Sequence, residues 1–449
     1  MVKIYSAAWV LPVTSTPIAD GSVAVDGQVI VGVGTRAEIG TRFPDAQMEQ
    51  FSEGIILPGL VNTHTHLELT AMRGYLEKEE SDFFAWLKKL TLARMFRLTP
   101  DDLTVSATWG ACEAARAGIT SVGDASDSAI TSMRALKAIG LRGVVFQESF
   151  GPDARLLQQN VEKLKTKVNE LTSEETDLVK AGVSPHAPYT VCAPQLEAIA
   201  EYATAQKLPV MMHAAESEAE DLLLREASGL FADNLKTRGI DFASPRVSPI
   251  QHLRKTGILD CKPLLAHCIR VDDQDIDTIA RSGSKVAHCP KSNAKLQHGR
   301  APLAKFLDKN LTVGLGSDSV ASNNTCDLLE EARFAVLLAR AGESNRGKAI
   351  EAAEVLHAAT VGGAKCLGLS DQVGELQAGL KADLTVVSLN ATHQLPVHDP
   401  LASIIFSSSG RDVVMTMVAG RELYRDGRVL GVDEERLKAR ILEISKKLV

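Results

Sequence analysis

Leu57-Pro58-Gly59-Leu60-Val61-Asn62-Thr63-His64-Thr65-His66 is the stretch from which the fold can be read. An apolar run, Gly54-Ile55-Ile56-Leu57, passes through Pro58-Gly59 into a second apolar pair and ends in two histidines. His64 and His66 are two residues apart, so on an extended strand their rings point the same way. Two imidazoles on one face at a strand end can grip a metal ion, or can simply sit on a solvated face. The rest of the chain decides between these readings, because it offers further ligands at the ends of later apolar runs.

Eight such runs follow one another from residue 55 onward: Ile55–Asn62, Thr120–Asp124, Gly143–Glu148, Ala181–His186, Pro209–His213, Leu264–His267, Lys285–His288 and Thr312–Asp318. Helical segments such as Pro100–Ala117, Pro194–Gln206 and Cys326–Ala341 separate them. Short strands alternating with helices imply a parallel sheet, and eight units of this kind imply a closed (β/α)₈ barrel, an α/β fold. Before the barrel, Asp26-Gly27 lies between two β-rich runs and marks a hairpin. β-rich character returns after residue 370, as in Val413–Gly420, and a helix over Asp433–Leu448 closes the chain. The expected organisation is a barrel over 57–369 and a small composite β domain built from 1–56 and 370–449.

Composition narrows the class of partner. The chain has 449 residues, 45% hydrophobic and 23% charged, as in an ordinary soluble protein. Its net charge of −7, without a basic block, argues against nucleic acid. Its seven cysteines lack Cys-x-x-Cys spacing, which argues against a disulfide framework and for a reducing compartment. The first residues lack the apolar core of a signal peptide, and no apolar run is long enough for a membrane. These features point to a cytoplasmic protein with no membrane partner, and a homo-oligomer is compatible with them.

Barrel active sites lie at the C-terminal ends of the strands. Six of the eleven histidines fall there: His64, His66, His186, His213, His267 and His288. His64, His66, His213 and Asp318 make a three-nitrogen, one-oxygen set suited to one Zn²⁺, Fe²⁺ or another divalent ion. Such an ion lowers the pKa of bound water to about 7. Glu216 lies three residues past His213, placed to shuttle protons as a catalytic acid and base, and His267 to polarise the electrophile or hold the water. His288 is open between supporting a ligand and touching substrate, and the role of His298 is open too. A second metal would need a bridging ligand, and the fourth strand end supplies His186 and no lysine. Nucleophile-elbow, phosphate-loop and small zinc-deaminase signatures are absent.

Taken together, Pro58–His66, Ser184-Pro185-His186-Ala187-Pro188-Tyr189, His213-Ala214-Ala215-Glu216-Ser217, Ala266-His267-Cys268, His288-Cys289-Pro290-Lys291-Ser292-Asn293 and Gly316-Ser317-Asp318-Ser319 resemble the amidohydrolase superfamily. The similar branch holds the cytosine, guanine and adenosine-type deaminases and the triazine chlorohydrolases. The resemblance implies one Zn²⁺ on His64, His66, His213 and Asp318. It also implies water handling by Glu216, His267 and Asp318, a substrate-facing His186, and a β-sandwich from both termini. A purine nucleoside is the implied partner.

Within the branch, the long insert Glu216–Ile258 resembles aminodeoxyfutalosine deaminases of menaquinone biosynthesis. Phe83-Phe84-Ala85-Trp86-Leu87 resembles methylthioadenosine/adenosylhomocysteine deaminases, yet Arg94-Met95 stands where those hold the ribose with a glutamate. Trp86, Arg94, His186 and Glu216 are therefore expected to touch substrate, with Arg94 and Arg97 placed to meet a distal carboxylate. The alternatives are a methylthioadenosine/adenosylhomocysteine or 5′-deoxyadenosine deaminase, a guanine deaminase or triazine-type hydrolase, and a non-catalytic assembly protein. Retention of Asp318 and Glu216 favours deamination over triazine hydrolysis, and retention of all four ligands speaks against an assembly protein.

Overall fold

A computed structural model describes residues 1–342 and 349–448. Both chain ends contribute to one eight-stranded sheet, in the order Arg428–Val429, Arg421–Arg425, Val413–Val418, Leu384–Ser388, Gln47–Pro58, Val2–Val10, Ile18–Asp26, Val29–Thr35. Neighbours are antiparallel except Val2–Val10 and Gln47–Pro58, which run parallel. Period-two alternation gives this sheet two apolar faces. Ile56 packs in one buried cluster with Val23 and Val25 from one end and Met415 and Met417 from the other, so the sheet folds over as a sandwich. Ile55 and Leu57 point the other way, into the core shared with the barrel helices.

The apolar run Ile55–Asn62 is two strands rather than one. Gln47–Pro58 stays with the sandwich, and the barrel opens at Leu60. Gly59 is the joint: a Cβ there would lie 2.1 Å from the Thr120 side chain, so only glycine lets the chain pass.

The barrel strands are β1 (Leu60–Thr65), β2 (Ile119–Ser126), β3 (Arg142–Ser149), β4 (Val179–Pro185), β5 (Met211–Ala214), β6 (Leu264–His267), β7 (Lys285–His288) and β8 (Val313–Leu315). They form two parallel halves, β1–β4 and β5–β8. The halves join at one seam through a bridge between Val183 and Val210. The other seam closes through loop and side-chain bonds. The Asp318 N–H donates to the His64 carbonyl at 2.9 Å, and Thr63 Oγ1 donates to the Leu315 carbonyl at 2.8 Å. The Asn62 amide donates to Ser317 Oγ at 2.7 Å and accepts from the Ser317 N–H at 3.0 Å. Sequence-distant ligands thus meet where the barrel shuts.

The expected helices are present as Pro100–Arg116, Ala193–Gln206, Leu328–Gly342 and Glu434–Leu448. The last of these packs Ile444 and Leu448 beneath Trp86 of the helix Phe83–Arg97, which overhangs the barrel mouth. The insert after β5 forms the helices Glu218–Glu226, Gly229–Thr237 and Pro249–Lys255. No helix among the described residues is long and apolar enough to cross a membrane.

Arg142, at the start of β3, ties barrel to sandwich. Its guanidinium donates to both carboxylate oxygens of Asp383 at 3.0 and 3.1 Å, and both side chains are almost fully buried. Removing one partner strands the other charge in the interior. Arg142→Met should therefore cost about 3–5 kcal/mol in chemical denaturation, and adding Asp383→Asn should recover part of it.

Candidate active site

Alternation explains which strand-end side chains enter the barrel mouth. Met211 lies on the inner face of β5 and brings His213 with it; Gly182 and Ser184 of β4 bring His186. On β1 the pairing register shifts between Asn62 and Thr65, and this irregularity lets Val61 face the floor and His64 the mouth. His267 follows inward-facing Ala266 and would point outward, but its φ of 73° turns it back. Asp318 likewise has a φ of 57°. Such left-handed backbone in non-glycine residues costs energy and clusters at functional sites.

His288 has no such reversal. It shares the outer face of β7 with Val286 and packs against Pro290, Ala301 and Leu303 behind the strand, away from the mouth. Burial lowers its pKa to about 4. It does not line the cavity above the ligand set, and its buried Nδ1 has no hydrogen-bond partner among the described residues.

The four expected ligands converge. His66 Nε2 and His213 Nε2 are 3.2 Å apart, and ligand nitrogens of His64, His66 and His213 all lie within 4.8 Å of one another. Asp318 Oδ1 lies 3.6 Å from His64 Nε2 and 3.5 Å from His66 Nε2. The other ring nitrogens are engaged: His213 Nδ1 bonds the His186 carbonyl at 2.9 Å, and His64 Nδ1 lies 3.2 Å from Met211 Sδ. Assigned from those partners, the protons sit on Nδ1 and bare lone pairs face the common centre. His64 Nε2 is buried with no hydrogen-bond partner among the described residues. Two unprotonated nitrogens at hydrogen-bond distance repel unless a cation lies between them, so the set fits a divalent ion.

Electrostatics agree. Burial, then the neighbouring His64, hold His66 at about 3, and burial with His186 holds His213 far below its usual range. Neutral imidazole is the ligand form. Burial pushes Asp318 up, but His64 and the other rings outweigh it and hold the carboxyl well down, ionised. Its Oδ2 accepts from Ser292 Oγ at 2.5 Å and Ser322 Oγ at 3.2 Å, which fixes its orientation. A second close group, Glu148 with His186 and His213, shares His213 with the first. Since both His213 nitrogens are already committed, it offers no independent second site.

Glu216 and His267 face each other beside this centre, 3.6 Å apart. His267 Nδ1 bonds Asn293 Oδ1 at 2.8 Å, leaving its buried Nε2 free toward the centre. Burial pushes Glu216 up to about 7, against the pull of His298, whose Nε2 is 3.8 Å away. A carboxyl with that pKa can take and return a proton at neutral pH. Glu220, absent from the sequence-based set, accepts from the Ala215 and Glu216 N–H groups at 3.0 and 2.8 Å and so fixes the turn that carries Glu216. Its i,i+4 spacing from Glu216 was the available signal. Tyr189 donates to Glu216 at 3.4 Å and stacks on Phe231 with centroids 4.3 Å apart.

Above these groups lies a cavity of about 770 Å³. Trp86 and His186 both line it, and the buried Trp86 Nε1–H has no partner among the described residues. Arg94 lines it as well but is not available to a substrate carboxylate. Its guanidinium donates to Glu68 at 3.0 Å, to Asp127 at 2.8 Å and to Ser128 at 3.1 Å. Arg97 turns away and donates to the Leu448 carbonyl at 2.6 Å. These carboxylates reach Arg94 from loops after β1 and β2, which helix spacing does not reveal. The cations on the wall that make no ion pair with described residues are Lys88, Lys163 and Arg238.

The geometry predicts metal analysis directly. The protein should bind about one divalent ion per chain; His213→Ala should abolish that binding, and His288→Ala should retain it.

Residues 55–423 match the amidohydrolase family. The chain is 30% identical to a 5-methylthioadenosine/S-adenosylhomocysteine deaminase of Pelotomaculum thermopropionicum, over 96% of this chain and 94% of that one. It is 32% identical to the protein of the same name from Symbiobacterium thermophilum, over 98% and 97% of the two chains. Among solved structures it is similar to an adenosine deaminase from Xanthomonas campestris with bound zinc, with a TM-score of 0.87, 28% identity and coverage of 99% and 98%. By the matched segment, by these identities along nearly its whole length and by its strand-end ligand set, this chain belongs to the amidohydrolase family.

Proposed function

We propose that this protein is a hydrolytic deaminase of an adenine nucleoside, dependent on one Zn²⁺ held by His64, His66, His213 and Asp318. The observation that carries the proposal is the pairing of Glu216, lifted to about 7, with the bare Nε2 of His267 at 3.6 Å beside that ligand set. Zinc in this position acts as a Lewis acid and lowers the pKa of a water to about 7. The relatives' names supply the adenine nucleoside as substrate class.

The chain's own residues then divide the work. His267 Nε2 accepts a hydrogen bond from the attacking water and orients it toward carbon 6. Glu216 takes that water's proton and delivers it to the departing nitrogen, so one water adds and one ammonia leaves. Tyr189 and Glu220 hold Glu216 in place from two sides. His186, whose Nδ1 bonds Thr190 Oγ1 at 2.8 Å, presents its other nitrogen to the purine edge. Phe83 and Phe231 supply an apolar wall.

The finer proposal is a nucleoside with a bulky anionic 5′ group, aminodeoxyfutalosine being the leading candidate. The cavity's volume, about 770 Å³, is in the upper part of the usual range of about 300–1,000 Å³. Lys88, Lys163 and Arg238, at its wall without ion-pair partners among the described residues, take over the role that the sequence assigns to Arg94 and Arg97. A second reading, methylthioadenosine or adenosylhomocysteine, is favoured by the names of the 30% and 32% identical relatives.

The test compares kcat/KM on aminodeoxyfutalosine, methylthioadenosine, adenosylhomocysteine, adenosine and guanine by loss of the purine absorbance. Aminodeoxyfutalosine should lead. A preference of about tenfold or more for either sulfur nucleoside overturns the finer proposal alone, and guanine as best substrate overturns the nucleoside reading. Glu216→Gln should keep its metal and lose about 10²–10⁴-fold in turnover.

A further inference from the structure

Glu148 is a buried acid on the cavity wall for which neither the ligand set nor the proton-transfer pair has a use. It ends β3, where Val144 and Phe146 face the barrel interior, and alternation carries Glu148 onto the same face one layer higher. The residue is 7% exposed, and its Oε1 has no hydrogen-bond partner among the described residues. That oxygen lies 4.0 Å from His66 Nδ1, on the side of the ring away from the ligand centre. A ligand-type atom of Glu148 also lies within 4.8 Å of ring nitrogens of His186 and His213.

The other acids of this wall are occupied. Glu68 accepts from Arg94 and from the N–H groups of Asp127 and Ser128 at 3.0, 3.3 and 3.2 Å. Asp127 is paired with both Arg94 and Lys167 at 2.8 Å. Asp318 and Glu216 belong to the reacting centre. Among the lining carboxylates, Glu148 is left with an unfilled acceptor facing the ligand space. A buried polar atom without a partner is costly and uncommon in native structures, so its partner is expected to arrive with the ligand.

We propose that Glu148 is a specificity-determining residue that accepts hydrogen bonds from the ribose hydroxyls of the substrate. The inference rests on the adenine-nucleoside reading. Such a substrate offers few donors: its 6-amino group is consumed at the reacting centre, and the remaining N–H or O–H donors common to the class are the 2′ and 3′ hydroxyls. A carboxyl group has acceptor capacity for the hydroxyls of a vicinal diol. Glu148 would thereby select nucleosides over free purine bases.

The test measures kcat/KM of wild type, Glu148→Gln and Glu148→Ala on adenosine and on 2′,3′-dideoxyadenosine, with metal content measured alongside. Wild type should favour adenosine by about tenfold or more, the scale of one to two lost hydrogen bonds. In Glu148→Ala the ratio should collapse to within about threefold while the metal stays bound, and Glu148→Gln should lie between. The ratio separates recognition from damage, since a misfolded or metal-poor variant loses both activities alike. An equal loss on both nucleosides, or an unchanged ratio, overturns the role of Glu148 and leaves the deaminase reading intact. Failure of wild type to deaminate any adenine nucleoside overturns both.

Discussion

His66 and His213 point unprotonated nitrogens at each other across 3.2 Å, and much of the structure is arranged to keep them there. His213 is held from behind by the His186 carbonyl at 2.9 Å. The interior denies them protons, since burial and mutual repulsion depress both. Left alone the arrangement is repulsive; around a divalent cation the same lone pairs become ligands. The seam between β8 and β1 closes through the Asp318 N–H on the His64 carbonyl, so forming the barrel also assembles the ligand set.

Two carboxylates beside this centre are driven in opposite directions. Burial lifts Glu216 to about 7, while the histidines hold Asp318 down in spite of its burial. Environments that push two acids apart suit them to different work, and the proposed mechanism uses Asp318 as the anion and Glu216 as the proton carrier. The supporting contacts follow the same division. Asp318 receives serine hydroxyls, which favour the charged form, whereas Glu216 has one long bond from Tyr189 and stays able to change state.

Most of this was legible in the sequence because periodicity carries it. Each of the eight apolar runs overlaps a barrel strand, and strand ends brought His64, His66, His186, His213 and His267 to one mouth. What escaped has identifiable causes. His267 reaches the site only through left-handed backbone, and His288, one strand on, lacks that reversal and stays outside; alternation alone does not separate them. Ile55–Leu57 belong to the sandwich because a close approach at Gly59 breaks an apolar run that looks continuous. Arg94 is neutralised by Glu68 and Asp127, 26 and 33 residues away, and no helix spacing rule anticipates that convergence. Glu148 did carry a signal, as the last residue of the third run, but an acid at a strand end stands out less than a histidine.

The central claim is that one cation, and only one, sits among His64, His66, His213 and Asp318. Anomalous diffraction from crystals of the protein as purified, collected on both sides of the zinc absorption edge, tests it most directly. The account predicts a single anomalous peak per chain enclosed by those four side chains. Two peaks, a peak between Glu148 and His186, or no peak in catalytically active protein would contradict it.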